Sequence, residues 1–540
     1  VKADKQKDFS MGFDFSKFGD EGLSEAFVEW LVEEQWVDIS THFGRFWEYY
    51  QNQIYELGRV GGLDSQINES SRNYIQGQEL GLPARITGVI HSGTGGVLAG
   101  RAVRDISRKE VVIENDISWR INAMVDFLFG KGVDFVSKAP EARKRREIEK
   151  ILKAVFEAEA QTGFFQNMAV LGSVYGFVDC VVRPGEELLI GPKSIRSEKS
   201  DSKHTFNASS RSSQAQGSCL DSTLQLASRI CLELIEAPRV LPILDENDYR
   251  KVNYYVQNFY QQKNAVSNNG SFLRRLLGGN STGDSRQKVM VTEIIGPNLW
   301  QRYEDKELVS EGNHALGFIP VVHIQNITQP CYYEGISEVE QLISLQDELN
   351  TRLSDRANRI TFQSFKMYLA KGIEGFEDKP ISPGRMWCTD NIDASIEQFG
   401  GDSSSPSEDA HITEIREAMD KVSGVTPVVA GILKNKLGNL TSGVALKMTF
   451  MGMLARTTRK QFAYGQGLKQ IGQIILHILD ICGVYPTEAE DREIEVLYPN
   501  PLPENMMEKL REAQIKKELG VPPEQVLREL GYETVRELDG

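Results

Sequence analysis

The sequence predicts an α+β protein of several packed units, and three observations carry that reading. At 540 residues the chain is too long for one core, because single domains hold about 100–200 residues. Apolar residues recur at helical spacing on both sides of a central stretch whose strand-type runs are joined by asparagines and glycines. The 40% apolar content with 47 glycines belongs to a globular chain, not a disordered or collagen-like one.

Each element follows in order. The first forty residues read as an arm, with Phe9, Phe13, Phe15 and Phe18 set among charges and glycines. Phe43, Phe46, Trp47, Tyr50 and Ile54 then share a helical face over 42–55. Ile117, Ile121, Val125 and Leu128 make a second over 115–129, ended by Gly130 and Gly132. A charged helix over 141–160 has Ile148, Ile151, Leu152 and Val155 as its buried stripe, and 166–182 passes from helix into buried strand. Residues 195–228 are Ser-rich and read as a surface loop or insertion, and 263–287 as a second polar loop. Strands are expected at 252–256, 289–295, 299–304 and 318–326.

After Gly335 the texture becomes helical. Residues 336–371 predict one helix of about 54 Å, with Val339, Leu342, Ile343, Leu349 and Leu353 on its apolar side. A Pro/Gly-rich acidic excursion, 372–407, carries short strand-like pieces. A helix over 408–423 follows, with Ser407 as N-cap and Gly424 as its stop. The loop 426–442 leads into a helix over 443–482, where Gly465, Gly467 and Gly472 predict a bend or a close contact. The acidic end holds helices at 503–519 and 522–530.

Several classes are excluded. No apolar run reaches the ~18 residues a membrane-spanning helix needs. Val1 to Phe13 is charged, so no secretory signal is expected. Six scattered cysteines form no C-x-x-C pair, which argues against a disulfide scaffold or zinc ribbon and fits a reducing cytoplasm. Gly95-x-x-x-x-Gly100-Arg101-Ala102 has phosphate-loop spacing but lacks the Lys and Ser/Thr that reach phosphate and Mg²⁺. The seven histidines show no metal-ligand spacing. No catalytic residue, metal or cofactor is expected, although an enzyme site assembled only in three dimensions stays open.

Charge is the informative quantity. The chain has 61 basic and 76 acidic residues, net −15. Between Asp420 and Asp480 lie 59 residues without a carboxylate. That window carries Lys421, Lys434, Lys436, Lys447, Arg456, Arg459, Lys460 and Lys469, net +8, so the remainder carries −23. A buried helix explains 471–479 as core. It does not explain the polar loop 426–442, where Lys434, Asn435, Lys436 and Asn439 are suited to phosphate contacts repeated around a ring. Arg352, Arg356 and Arg359 recur at i, i+4, i+7. They fit a solvated face with ion pairs to Asp355 and its neighbours, or else a polyanion or subunit contact.

The order of elements resembles the portal (head–tail connector) proteins of tailed bacteriophages. GISEVEQLISLQDELNTRLSDRANRITFQSFKMYLAKG (335–372) is similar to that family's first stem helix and exit strand. VSGVTPVVAGILKNKLGNLTSGVALKM (422–448) is similar to the end of the second stem helix, the tunnel loop and the start of the long helix beyond. FIPVVHIQN (318–326) resembles the strand closing the wing, and LYPNPLPENMMEKLREAQIKKELG (497–520) the segment leading into the crown.

The resemblance implies a portal-like fold: an arm over 1–40 and a mixed α/β wing over 41–335. It implies stem helices at 336–371 and 408–423, a small strand-bearing clip at 372–407 and a tunnel loop at 425–441. A long helix over 442–482 and an α-helical crown over 483–540 complete it. It further implies a dodecameric ring at one capsid vertex of the virion, assembled in the host cytoplasm. Double-stranded DNA would be packaged and ejected through it, with a large terminase, the major capsid protein and a head-completion or adaptor protein as partners. Lys434, Asn435, Lys436 and Asn439 would touch DNA, Gly431 and Gly438 would be the loop's pivots, and Arg352, Arg356 and Arg359 would be stem-lumen or inter-subunit charges. The alternative is another oligomeric capsid-associated scaffold with no DNA channel.

Overall fold

The computed structural model describes residues 13–18, 23–52, 112–185, 188, 212–264, 286–314, 316–364, 367–372, 392–399, 406–430, 448–502, 506–523, 526 and 530. In chain order, helices α1 (Glu25–Trp30) and α2 (Trp36–Gln51) are joined by one π turn. Next come α3 (Asp116–Phe129), β1 (Asp134–Ser137), α4 (Ala142–Ala158), α5 (Thr162–Tyr175) and β2 (Phe177–Arg183). Then α6 (Ser212–Ala227) precedes β3 (Cys231–Ile235), β4 (Val240–Leu244), β5 (Val252–Asn264) and β6 (Arg286–Ile295). The strands β7 (Leu299–Glu304), β8 (Glu307–Asn313) and β9 (Val321–Gln325) lead to α7 (Ile343–Ser364). Last are β10 (Met367–Lys371), β11 (Ser395–Phe399), α8 (Pro406–Ser423), α9 (Met451–Ile481), β12 (Ile494–Leu497) and α10 (Met506–Glu518).

Two compact units result. The first takes Val1–Met124, Met168–Val181 and Glu233–Tyr464; the second takes Val125–Asn167, Val182–Leu232 and Gly465–Gly540. The first unit is centred on an antiparallel sheet in the order β4-β5-β6-β7-β8. Strand alternation divides its side chains between two faces. Tyr254 and Val256 join Phe13, Phe15, Val28, Val32 and Tyr303 in one core, while Tyr255 turns away to Asp179. Phe13 meets the Tyr303 ring edge-on at 4.9 Å. The described part of the 1–40 segment is therefore packed on this sheet, each buried apolar side chain contributing about 1.5–3 kcal/mol.

Also in this unit, β2 pairs antiparallel with β9, with Asp179 opposite His323. The chain then passes through a close backbone crossing. A Cβ on Gly176 would lie 2.3 Å from the Gly335 carbonyl oxygen, and one on Gly335 equally close to that of Gly176. Only glycines allow this approach, and it fixes where the chain enters α7.

In the second unit β1 pairs with β12, and α4 packs on β1 and α6. Phe135 stacks on Phe156 at 4.6 Å. Ile471, Ile475, Leu476, Ile478 and Leu479 of α9 are fully buried, so this part of the carboxylate-free window is core, as expected. Gly472 serves a close contact, since its Cβ would meet Ile494 at 2.8 Å.

Four expectations change. The single helix over 336–371 is a short 3-10 turn, Glu340–Leu342, then α7, then β10. Pairing of Met367–Lys371 with Ser395–Phe399 overrides the helical period there. The Ser-rich 195–228 stretch contains α6, whose Thr223 and Ala227 are buried one turn apart. Ser407 lies inside α8, because Pro406 takes the first turn, where its fixed φ suits a helix. Strands β3, β4 and β8 had no clear signal. β8 is an edge strand with a mostly exposed, polar pattern, which removes the apolar alternation that marks a half-buried strand.

Candidate functional site

The helices expected to form a stem, and the described start of the expected tunnel loop, lie in the first unit. α7 runs out, β10 and β11 close an antiparallel ladder, and α8 returns beside α7. α8 buries the apolar stripe Ile412, Ile415 and Met419, whereas α7 buries Ile343 and Leu349 together with the polar Gln346, Asn350, Thr351 and Ser354.

Charge braces the same pair. Arg352 Nε lies 2.8 Å from Glu348 and its Nη1 3.3 Å from Asp355. Arg356 reaches Asp409 at 3.1 Å, and Arg359 pairs with Glu408. Glu408 and Asp409 sit in the first turn of α8, where the helix dipole favours acids. Burial alone would raise the Glu348 carboxyl, but hydrogen bonds from Arg352 and His411 outweigh it and hold it below the usual range. All three arginines of the i, i+4, i+7 row are thus met by carboxylates within the chain.

The base of the expected tunnel loop is held by two more arginines. Gly424 ends α8 with φ +69°, in the left-handed region. Just before it, Arg456 of α9 donates to the Val422 carbonyl at 2.7 Å. Just after it, Arg120 of α3 lies 3.4 Å from the Val425 carbonyl and 2.5 Å from Asp420. The chain continues as a 3-10 turn, Pro427–Ala430. Gly431, Lys434, Asn435, Lys436, Gly438 and Asn439 lie outside the described residues, as do most of the clip and the glycine-rich 91–101 stretch.

Beside this base lies a buried charge cluster that sequence reasoning missed. Glu338 precedes α7 and receives Arg456 Nε at 3.0 Å and Lys460 Nζ at 2.9 Å. Lys460 Nζ also donates to Ser173 Oγ at 2.8 Å. Burial disfavours the Glu338 charge, but Lys460 and Arg456 overcome it and keep its carboxyl below the ordinary glutamate range. Burial pushes the Lys460 ammonium down, with Glu338 pulling the other way. One carboxylate so ties the start of α7 to α9, and Arg456 extends the tie to the end of α8. Among the described cations of the acid-free window, Arg456 and Lys460 are engaged inside the protein rather than offered at its surface. The available signal was Arg456 and Lys460 at i, i+4 on a helix with an apolar face.

One arrangement has the residue types of a catalytic pair but spends its hydrogen bonds internally. His323 Nδ1 lies 2.6 Å from the buried Asp179. The other ring nitrogen is taken by the Tyr333 carbonyl at 2.7 Å, while Tyr255 and Tyr333 hydroxyls donate to the same carboxylate. No nitrogen is left to activate a nucleophile. Among the described residues no group of His, Cys, Asp and Glu could hold a metal, and no helix is long and apolar enough to cross a membrane.

A helical hairpin braced by ion pairs, followed by an arginine-held loop base and a long helix, is a structural framework. The chain belongs to the phage portal protein family, SPP1 Gp6-like, which matches residues 117–532. The α+β fold is that of a portal-family protein, and the family is a structural one. Among solved structures, the chain is similar to one from the virion of a native gene transfer agent (GTA) particle. That match is 10% identical, covers 77% of this chain and 89% of the other, and has a TM-score of 0.38. Another, from the neck of an empty GTA particle computed with C6 symmetry, is 12% identical, covers 78% and 90%, and has a TM-score of 0.42. No curated protein matches the chain.

Proposed function

We propose that the chain assembles into a ring, dodecameric as the family resemblance implies, at one vertex of a capsid. Double-stranded DNA passes through its axial channel on packaging and ejection. Membership of the portal family over 117–532 is the observation that carries this reading. The hairpin geometry supports it, since a channel wall under load needs helices fixed to one another and α7, α8 and α9 are joined through Glu338, Arg456 and the stem ion pairs.

In this reading Lys434 and Lys436 grip phosphates without reading bases, with Asn435 and Asn439 as neutral donors and Gly431 and Gly438 as pivots. The acidic remainder of the chain limits sticking, so DNA slides. Arg352, Arg356 and Arg359 serve the stem as braces, and a lumen or inter-subunit role must compete with their carboxylate partners. A large terminase supplies the motor chemistry, the major capsid protein surrounds the ring, and a head-completion or adaptor protein docks on 372–407. Assembly takes place in the host cytoplasm and the finished ring resides in the virion.

Electron micrographs of the purified full chain test this directly. Rings with an axial hole are expected. Assemblies without a hole, or monomers alone at micromolar concentration, would overturn the channel and leave a capsid-associated scaffold.

A further inference from the structure

The start of α4 reads Ala142-Arg143-Lys144-Arg145-Arg146. Its first turn holds no acid, and Glu141, at the N-cap, makes no side-chain cap bond. Cations at the positive end of a helix dipole oppose the helix, where acids would help it. Local stability therefore does not account for them.

Side-chain partners sort these charges. Arg143 lies 2.9 Å from Glu147 and Lys144 2.7 Å from Asp491. Arg145, Arg146 and Lys150 are exposed and make no ion pair among the described residues. Among the described residues Lys153 pairs only with Glu157, 3.9 Å away. Of the helix's own acids, Glu147 also accepts from the Tyr485 hydroxyl at 3.0 Å and Glu149 from the Ser137 amide at 3.1 Å, while Glu157 is exposed one turn beyond Lys153. With Ile148, Ile151, Leu152, Val155 and Phe156 buried on the opposite face, Arg143, Arg146, Lys150 and Lys153 form one solvent-facing stripe. Their i, i+3, i+7, i+10 spacing gives it a length of about 15 Å.

We propose that this stripe binds the phosphodiester backbone of double-stranded nucleic acid, without regard to sequence. The choice over an acidic protein rests on what the stripe lacks. No large apolar side chain of α4 is exposed. Protein interfaces draw affinity from buried aromatic and apolar anchors, whereas a phosphate backbone is held by cations that release condensed counterions. Arginine adds bidentate phosphate geometry. The site lies on a different element from the 431–439 loop and does not need the ring.

The test is anisotropy binding of a short fluorescent duplex to the full chain across a salt series. Arg146→Ala, Lys150→Ala and Lys153→Ala are combined, since alanine keeps the helix and circular dichroism confirms that it does. Affinity should fall at least about tenfold and the log–log salt slope become shallower by about 3, roughly one per lost contact. Lys150→Arg/Lys153→Arg with Arg146 intact should keep both at the parent's values. The Lys434→Ala/Lys436→Ala variant should keep the α4-dependent part of the binding. An unchanged isotherm for the triple variant overturns the site. Binding of poly-glutamate as tight as that of duplex also overturns it, and assigns the stripe to an acidic protein. Micrographs of the same preparations separate this outcome from the channel reading: rings with no α4-dependent binding defeat the stripe alone, and binding by protein that forms no rings defeats the channel alone.

Discussion

Glu338 is buried with two cations beside it, and removing one partner from such a group leaves charge without compensation. Lys460→Met should destabilise the fold by about 3 kcal/mol, the low end for a broken buried pair because Arg456 remains. The urea midpoint of unfolding reads this out. A Glu338→Gln/Lys460→Met double variant should recover part of the loss, since neutral groups of similar volume tolerate burial. The pH dependence has a definite sign. Glu338 is held below the usual glutamate range, so its stabilising contribution is present above the unfolded value of about 4.3 and is lost as pH falls through the lower folded value. Glu338→Gln should flatten the acid limb of stability against pH below about 4. An acid limb as steep as the parent's would show that Glu338 carries none of it.

Among the elements, the junction of α8 with the following loop depends on Gly424, which holds φ +69° with its Cβ position 3.4 Å from Arg456 Cδ. Gly424→Ala should cost about 1–2 kcal/mol, the penalty for a left-handed alanine, and more if Arg456 is displaced. The stem pairs should behave differently. Arg356 and Asp409 are both largely exposed, at 41% and 55%, so Arg356→Ala should change thermal stability by no more than about 1 kcal/mol. A much larger loss would mean that the pair is shielded in an assembly. These elements also show what a sequence reader can reach. α8 and the buried end of α9 were legible because their apolar residues repeat at helical spacing, and Gly424 because a stop was needed there. α6 was hidden by a serine-rich composition that packs through Thr223 and Ala227, and β8 by lying at an edge. Glu338 and Lys460 are 122 positions apart, and nothing local in either segment announces the other. The stem arginines are legible as a row and Asp355 as a partner on the same helix, but Asp409 and Glu408 across the hairpin are not, since a carboxylate and a phosphate suit arginine equally well.

Across the whole molecule, the −15 net charge conceals two cationic regions of different kinds. On α9, Arg456 and Lys460 are consumed internally, so the surface charge of the acid-free window is smaller than its count of eight. In the proposed channel, Lys434 and Lys436 would then be a larger share of what passing DNA meets. Two lysines in one subunit bind phosphate weakly; in the ring proposed above they would face a common axis, and their number would scale with the subunits. The contacts described at Glu338, Gly424 and the stem hairpin are made by other residues, so for Lys434→Ala/Lys436→Ala ring formation and thermal stability should match the parent. DNA handling should not: packaged length or retention should change, with retention the more sensitive to salt because the lost contacts are to phosphates. The measurement is a packaging reaction followed by nuclease protection at two salt concentrations, on particles carrying either ring. Parental packaged length, retention and particle yield from the double variant at both salts would remove the loop lysines from DNA contact, and would leave the α4 stripe as the chain's only cationic surface proposed to meet DNA.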